Sequence, residues 1–192
     1  MAVRVFLGAL AGAIIAMIWG VLFWGILPFT RSHVLPLPNE EIIVRTLREN
    51  IPANGAYVFP MPVESPGADA QAIWTSKHKT GPLLHLFYHR EGDDPMNAAV
   101  FIKGFIHYFI SALLMAALLL MTGKSLPSYP SRVAFIALAG IFAAVFVNLS
   151  DPIWWWHVWG FHLLYGVYTA ACWLLVGLVM AWIIRPATSA SA

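Results

Sequence analysis

Residues 5–29 read VFLGALAGAIIAMIWGVLFWGILPF, a run without a single ionisable side chain. About 20 such residues, wound as a helix, cross the hydrocarbon core of a bilayer. The stretch therefore predicts a membrane span and not one helix of a soluble core. Three more runs of the same kind follow, at roughly Ala98–Met121, Val133–Leu149 and Trp159–Ile184. The third is the shortest, at the lower limit for spanning. The expected fold class is an all-α integral membrane protein with four transmembrane helices. A small extracytoplasmic α/β insertion falls between helices 1 and 2.

Composition agrees. Of the 192 residues, 60% are hydrophobic and 10% are charged, against about half and about a quarter in soluble domains. The net charge of +2 is too small to argue for nucleic acid as a partner. The single cysteine, Cys172, excludes an intrachain disulfide and reads as a small packing residue. The first apolar run is too long for the h-region of a cleaved leader, and no small-x-small site follows it, so it reads as a retained signal anchor.

The short connections set the orientation. Arg4, Lys124, Arg132 and Arg185 all fall on the side that holds both termini, and no Asp or Glu joins them before the C-terminus. The opposite short loop around Asp151–Gly160 has no Lys or Arg. Both termini are therefore expected in the cytoplasm, with the chain integral to a bacterial plasma membrane. The expected organisation is helix 1 over 1–29, an extracytoplasmic segment over 30–97, and helices 2–4 with short loops and a cytoplasmic tail over 98–192.

Within 30–97, PLPNEEIIVRTLRENIP (36–52) predicts a short helix. Asn39 would be its N-cap, Glu40 and Glu41 sit in the first turn, and Ile43, Leu47 and Ile51 form one apolar stripe. ANGAYVFPMPV (53–63) and GPLLHLFYHREG (81–92) predict two strands with turn residues beside them. The intervening ESPGADAQAIWTSKHKTG (64–81) reads as a loop. A block this size is near the limit for an independent core, so it is expected to rest on the membrane surface or a partner. His85 and His89 share a strand face but lack a third ligand, and read as solvated strand-edge histidines.

The chain also resembles itself. RVFLGALAGAIIA (4–16) and RVAFIALAGIFAA (132–144) open the first and third runs, while GFIH (104–107) and GFH (160–162) can be paired with one gap. Two tandem helix hairpins, 2+2, are one reading. Transmembrane helices draw on few residue types, so chance similarity is the other. Gly8, Gly12, Ala16 and Gly20 recur every four residues, a small-residue stripe that admits a close neighbour. It is expected to pack against the third span, where Gly140 and Ala144 continue the pattern, with a homodimer as the alternative.

Ionisable groups inside a membrane are functional candidates. Lys103 lies near the outer boundary and can snorkel. His107 and His162 lie deeper, at similar depths on the second helix of each proposed hairpin. Together they are the candidate cofactor-binding residues, for haem, another metal or a quinone. The structural alternative gives each imidazole a carbonyl, Tyr, Ser or Asn partner. In DPIWWWHVWGFH (151–162), Asp151 and Pro152 match a helix start. The fourth helix could thus begin at Asp151, with Trp154, Trp155, Trp156 and Trp159 spread around it as an interfacial belt. His157 would sit hydrated among them.

No Cys pair, HExxH, phosphate loop or Ser-His-acid set occurs, so the sequence carries no enzyme signature. The leading expectation is a non-enzymatic accessory or scaffold protein whose outer segment contacts a partner or the membrane surface. The rival is a haem, metal or quinone protein using His107 and His162. A small transporter is the third reading, without the broken span pair expected of one.

Overall fold

The computed structural model describes residues 2–62, 67–123 and 125–185. Lys124, residues 64–66 of the expected loop and the expected cytoplasmic tail beyond Arg185 lie outside the described residues. In chain order the elements are α1 (Ala2–Gly20), α2 (Glu40–Asn50), β1 (Gly55–Phe59), α3 (Ala68–Thr80), β2 (Leu84–Tyr88), α4 (Ala98–Met121), α5 (Tyr129–Ala143), α6 (Ser150–Trp154) and α7 (Trp159–Ile183). They form two compact units. One comprises Met1–Leu35, Pro95–Pro152 and Val158–Ala192; the other comprises Pro36–Asp94 with Ile153–His157.

The first unit is mostly helical, with four helices long and apolar enough to cross a membrane: Ala2–Ile26, Ala98–Met121, Tyr129–Trp154 and Trp159–Ile183. The first is α1 continued through a π-helical turn, Val21–Ile26. The third is α5, a π-helical turn (Ala144–Asn148) and α6 in succession. It is longer at both ends than its apolar run. At the start, the Ser128 hydroxyl accepts from the Ser131 N–H at 3.2 Å, and Pro130 suits the first turn. At the other end, the start signal of Asp151-Pro152 belongs to α6, a single turn, and not to the fourth helix. The chain then breaks at Trp156, whose φ is +57°, and α7 begins at Trp159. The four tryptophans therefore do not ring one continuous helix.

Helix α1 packs against both α4 and α7, and α5 packs against α7. The reason lies in the small-residue stripe. A Cβ added at Gly12 would come 3.1 Å from Val176 and 3.3 Å from Ala112, and one at Gly8 would come 2.9 Å from Ile184. The stripe thus seats α1 between α4 and α7, not against the third helix. Gly140 serves α5 in the same way: the Trp173 side chain of α7 occupies the space where a Cβ would stand. Buried Ala112, Met115, Ala116 and Leu119 mark the inner face of α4, the i, i+3, i+4, i+7 pattern of a helix with one packed side.

Arg132, expected as an inside-positive charge, is buried. Its Nε donates to the Ala181 carbonyl at 3.2 Å, and one Nη donates to Leu126 and Pro127 at 3.2 and 2.8 Å. It ties the start of α5 to the end of α7, where unmatched carbonyls favour a cation.

In the second unit, β1 and β2 pair antiparallel, from Gly55 opposite Tyr88 to Phe59 opposite Leu84. Asn54 clips the ribbon: its Oδ1 accepts from Arg90 N at 2.6 Å, and its Nδ2 donates to Glu91 Oε2 at 2.9 Å. Arg90 Nη1 also donates to the carbonyls of Arg48 and Ile51, fastening the end of α2. Asn39 has φ +48° and caps α2 with its backbone carbonyl, not its side chain. The expected apolar stripe of α2, Ile43, Leu47 and Ile51, is half-buried. The expected loop is largely the helix α3. Its Ala, Gln and Lys residues favour helix without an apolar stripe to announce it, and Gly81 at φ +66° ends it. Among the described residues, this unit buries no large apolar side chain fully.

Candidate functional site

Among the described residues, chemically capable side chains gather in each of the two units. In the first unit, α1, α4 and α7 enclose a cavity of about 180 Å³. Gly12 and Ala16 leave room along α1; His107, Tyr108 and Ser111 come from α4, and Tyr168 and Cys172 from α7. The two tyrosine hydroxyls lie 2.8 Å apart and bridge α4 to α7. Gly20 lets them in, for a Cβ there would stand 3.0 Å from the Tyr108 hydroxyl. Trp19 Nε1 donates to the Tyr168 carbonyl at 3.1 Å, so α1 is joined to the same pair.

His107 was expected inside the bundle with a hydrogen-bond partner. It lies on an exposed face of α4, its ring against Tyr108 at 5.6 Å between centroids. Helix phase explains this. At 100° per residue, His107 points roughly 80–180° away from Ala112, Met115, Ala116 and Leu119. Ser111 spends its hydroxyl on the His107 backbone carbonyl, 2.9 Å away.

His162 sits in the first turn of α7, half-buried, with Nδ1 3.0 Å from the Asn148 carbonyl. Asn148 in turn donates from Nδ2 to the Thr169 hydroxyl at 3.2 Å. These bonds join the third and fourth long helices. His162 is not among the residues lining the cavity beside His107. The structure brings each histidine to its own surroundings, one beside the tyrosine pair and the other against a carbonyl.

The second unit holds what the sequence reading missed. His85 of β2 faces His157, with Nδ1 and Nε2 2.9 Å apart. The Trp155 and Phe87 rings flank His85 at 5.2 and 4.6 Å between centroids. His78 of α3 lies between Trp74, at 5.1 Å, and Trp156, at 4.4 Å. His78 and His85 line one cavity of about 50 Å³. The expected solvated pair thus divides. His89 is exposed, with Nδ1 2.7 Å from the Glu91 carbonyl, whereas His85 is half-buried against an aromatic wall. His157 is half-buried as well. Its partner is 72 residues away, so no local pattern in the sequence could announce the pair.

Elsewhere in the second unit, the Glu91 carboxylate is held below its ordinary pKa. The Asn54 side-chain hydrogen bond is the largest cause, followed by a backbone hydrogen bond and the charges of His89 and Arg90, with desolvation working the other way. Comparison with known protein families, curated proteins and solved structures finds no match to this chain.

Proposed function

We propose that this protein is a non-enzymatic accessory protein of the bacterial plasma membrane, in which four spanning helices hold an extracytoplasmic unit that docks a second protein. Both termini lie in the cytoplasm in this reading, by the distribution of Arg4, Arg132 and Arg185. The observation that carries it is the apolar surface of the second unit. Phe87 is 71% exposed and Leu84 50% exposed, on opposite faces of a two-stranded ribbon that has no further strand on either edge among the described residues. Two strands alone are marginal in water. Large exposed apolar groups and open edges are the features that protein partners cover.

Charge favours a protein over the lipid surface as the cover. Residues 36–94 hold eight acidic and five basic side chains, which anionic headgroups repel. The tryptophans of 154–156 serve the membrane boundary in this reading, since they join the third and fourth spans.

The test uses the full chain solubilised from its native membrane in a mild detergent. It should run as a complex larger than the bare chain, and Phe87→Ser should release it. A bimane label on Phe87→Cys, in a Cys172→Ala background, should be insensitive to brominated lipids. A chain that runs alone, with a label quenched by those lipids, would replace the partner with the membrane surface and end the docking reading.

A further inference from the structure

The docking role makes no use of the end of the first unit where α1 begins and α7 ends. There Arg4 and Arg185 line one open groove of about 540 Å³ between the two helices. The small-residue seam brings these ends together: a Cβ at Gly8, one turn beyond Arg4, would meet Ile184, the neighbour of Arg185. Leu7, Leu10, Ala11 and Ile14 form the apolar wall of the groove on α1, at the i, i+3, i+4, i+7 spacing of one helix face. Trp182 lines it from α7. From Arg4 to Ile14 the helix rises ~15 Å at 1.5 Å per residue. That is half of the ~30 Å hydrocarbon core, the depth of one leaflet.

Both arginines are exposed, and no carboxylate stands beside them among the described residues. The first unit has one acidic side chain, Asp151. It precedes α7, and the 25 residues of that helix separate it from Arg185. Arg132, at the same end, spends its donors on backbone carbonyls. Arg4 has no hydrogen-bond partner among the described residues. Arg185 is held in place: its Nε donates to the Trp182 carbonyl at 3.0 Å, and its guanidinium carbon stands 5.6 Å from the centre of the Trp182 ring. Its two Nη groups make no hydrogen bond among the described residues. Guanidinium forks pair with phosphate oxygens, and basic pockets between membrane helices take anionic headgroups. A choline ammonium beside two arginines would be repelled, so net charge decides among lipids. A second copy of the chain laid symmetrically in the groove would set four cations together, which disfavours it as the occupant.

We propose that this groove binds one anionic phospholipid, with its phosphate held by Arg4 and Arg185 and an acyl chain lying against Leu7, Leu10, Ala11 and Ile14. The site lies wholly within the first unit and is independent of what the second unit docks.

The experiment uses the full chain, stripped of native lipid in mild detergent. It is titrated with phosphatidylglycerol and with phosphatidylcholine of the same acyl chains, and bound lipid is counted by native mass spectrometry. One phosphatidylglycerol should be retained, about thirtyfold more tightly than phosphatidylcholine, because each arginine beside an anionic headgroup contributes about fivefold. Arg4→Gln and Arg185→Gln should each weaken phosphatidylglycerol binding about fivefold. Lys103→Gln, outside the groove, should leave it unchanged. Ala11→Phe, which fills the groove and keeps both arginines, should prevent stoichiometric retention. Equal retention of the two lipids by the unaltered chain would overturn the site, a result that depends on no variant folding. So would displacement of the lipid by millimolar inorganic phosphate, or a dimer that carries no lipid. Full affinity in Ala11→Phe with the elution and circular dichroism of the parent, or a loss in Lys103→Gln equal to that in the arginine variants, would overturn it as well.

Discussion

Single side chains in this protein act mainly through hydrogen bonds to backbone carbonyls. Arg132 satisfies three carbonyls at two helix ends, and His162 one. Asn54 does comparable work in the second unit by receiving Arg90 and donating to Glu91. The depressed pKa of Glu91 turns that clip into a pH-dependent element. A carboxyl whose folded pKa lies below its unfolded value stabilises fully above the unfolded value. That contribution is lost as the pH falls through the folded one. Titration of Glu91 followed by carbon NMR should place its midpoint below the ordinary glutamate range, and Asn54→Ala should move it upward. An unchanged midpoint in that variant would mean Asn54 is not the main cause. At this scale the sequence marked His107 and His162 for chemistry, since an ionisable residue in an apolar run stands out. It could not mark His85 and His157, because their approach depends on a 72-residue separation closed by folding.

At the level of elements, close packing of small residues decides which helices touch. The Gly140 site is the clearest case, because the Trp173 side chain already fills the volume of a Cβ. Gly140→Ala should therefore force α5 and α7 apart and lower stability by about 1–3 kcal/mol, the usual cost of overpacking. Thermal unfolding in detergent measures this. Gly104→Ala is the control, since a Cβ at Gly104 meets nothing within 4 Å; an equal loss in both variants would refute the packing argument. The long apolar helices were legible from their runs, and α2, β1 and β2 from their turn residues and alternation. Helix α3 was not, for its sequence lacks an apolar stripe and carries only intrinsic propensity. The limits of the third helix were misjudged for a different reason: Asp151-Pro152 does start a helix, but only the one-turn α6.

For the molecule as a whole, the proposed orientation rests on Arg4, Arg132 and Arg185 at the ends of the long helices and can be checked apart from any function. In the Cys172→Ala background, Ser76→Cys should react with a membrane-impermeant maleimide in intact cells, and Val3→Cys only after lysis. The reverse pattern would invert the topology and with it the extracytoplasmic assignment. The same background asks whether the two hairpins suggested by the repeated RV and ALAG residues behave alike. In the structure Arg132 is buried while Arg4 is exposed, so the matching arginines do different work.

What the sequence determined by itself was the class of protein: four apolar runs, their approximate places, and a separate block of mixed α and β character. Hydrophobic length and turn chemistry are local, so one strand of text suffices to read them. Only the tertiary structure decided which face of each helix is covered. It seated α1 between α4 and α7 through glycines whose partners lie more than a hundred residues away in Val176 and Ile184. It turned His107 to an exposed face, gave His162 a carbonyl, and brought His85 to His157. Each of these depends on which surfaces meet, and that is settled by long-range packing, which no local periodicity encodes.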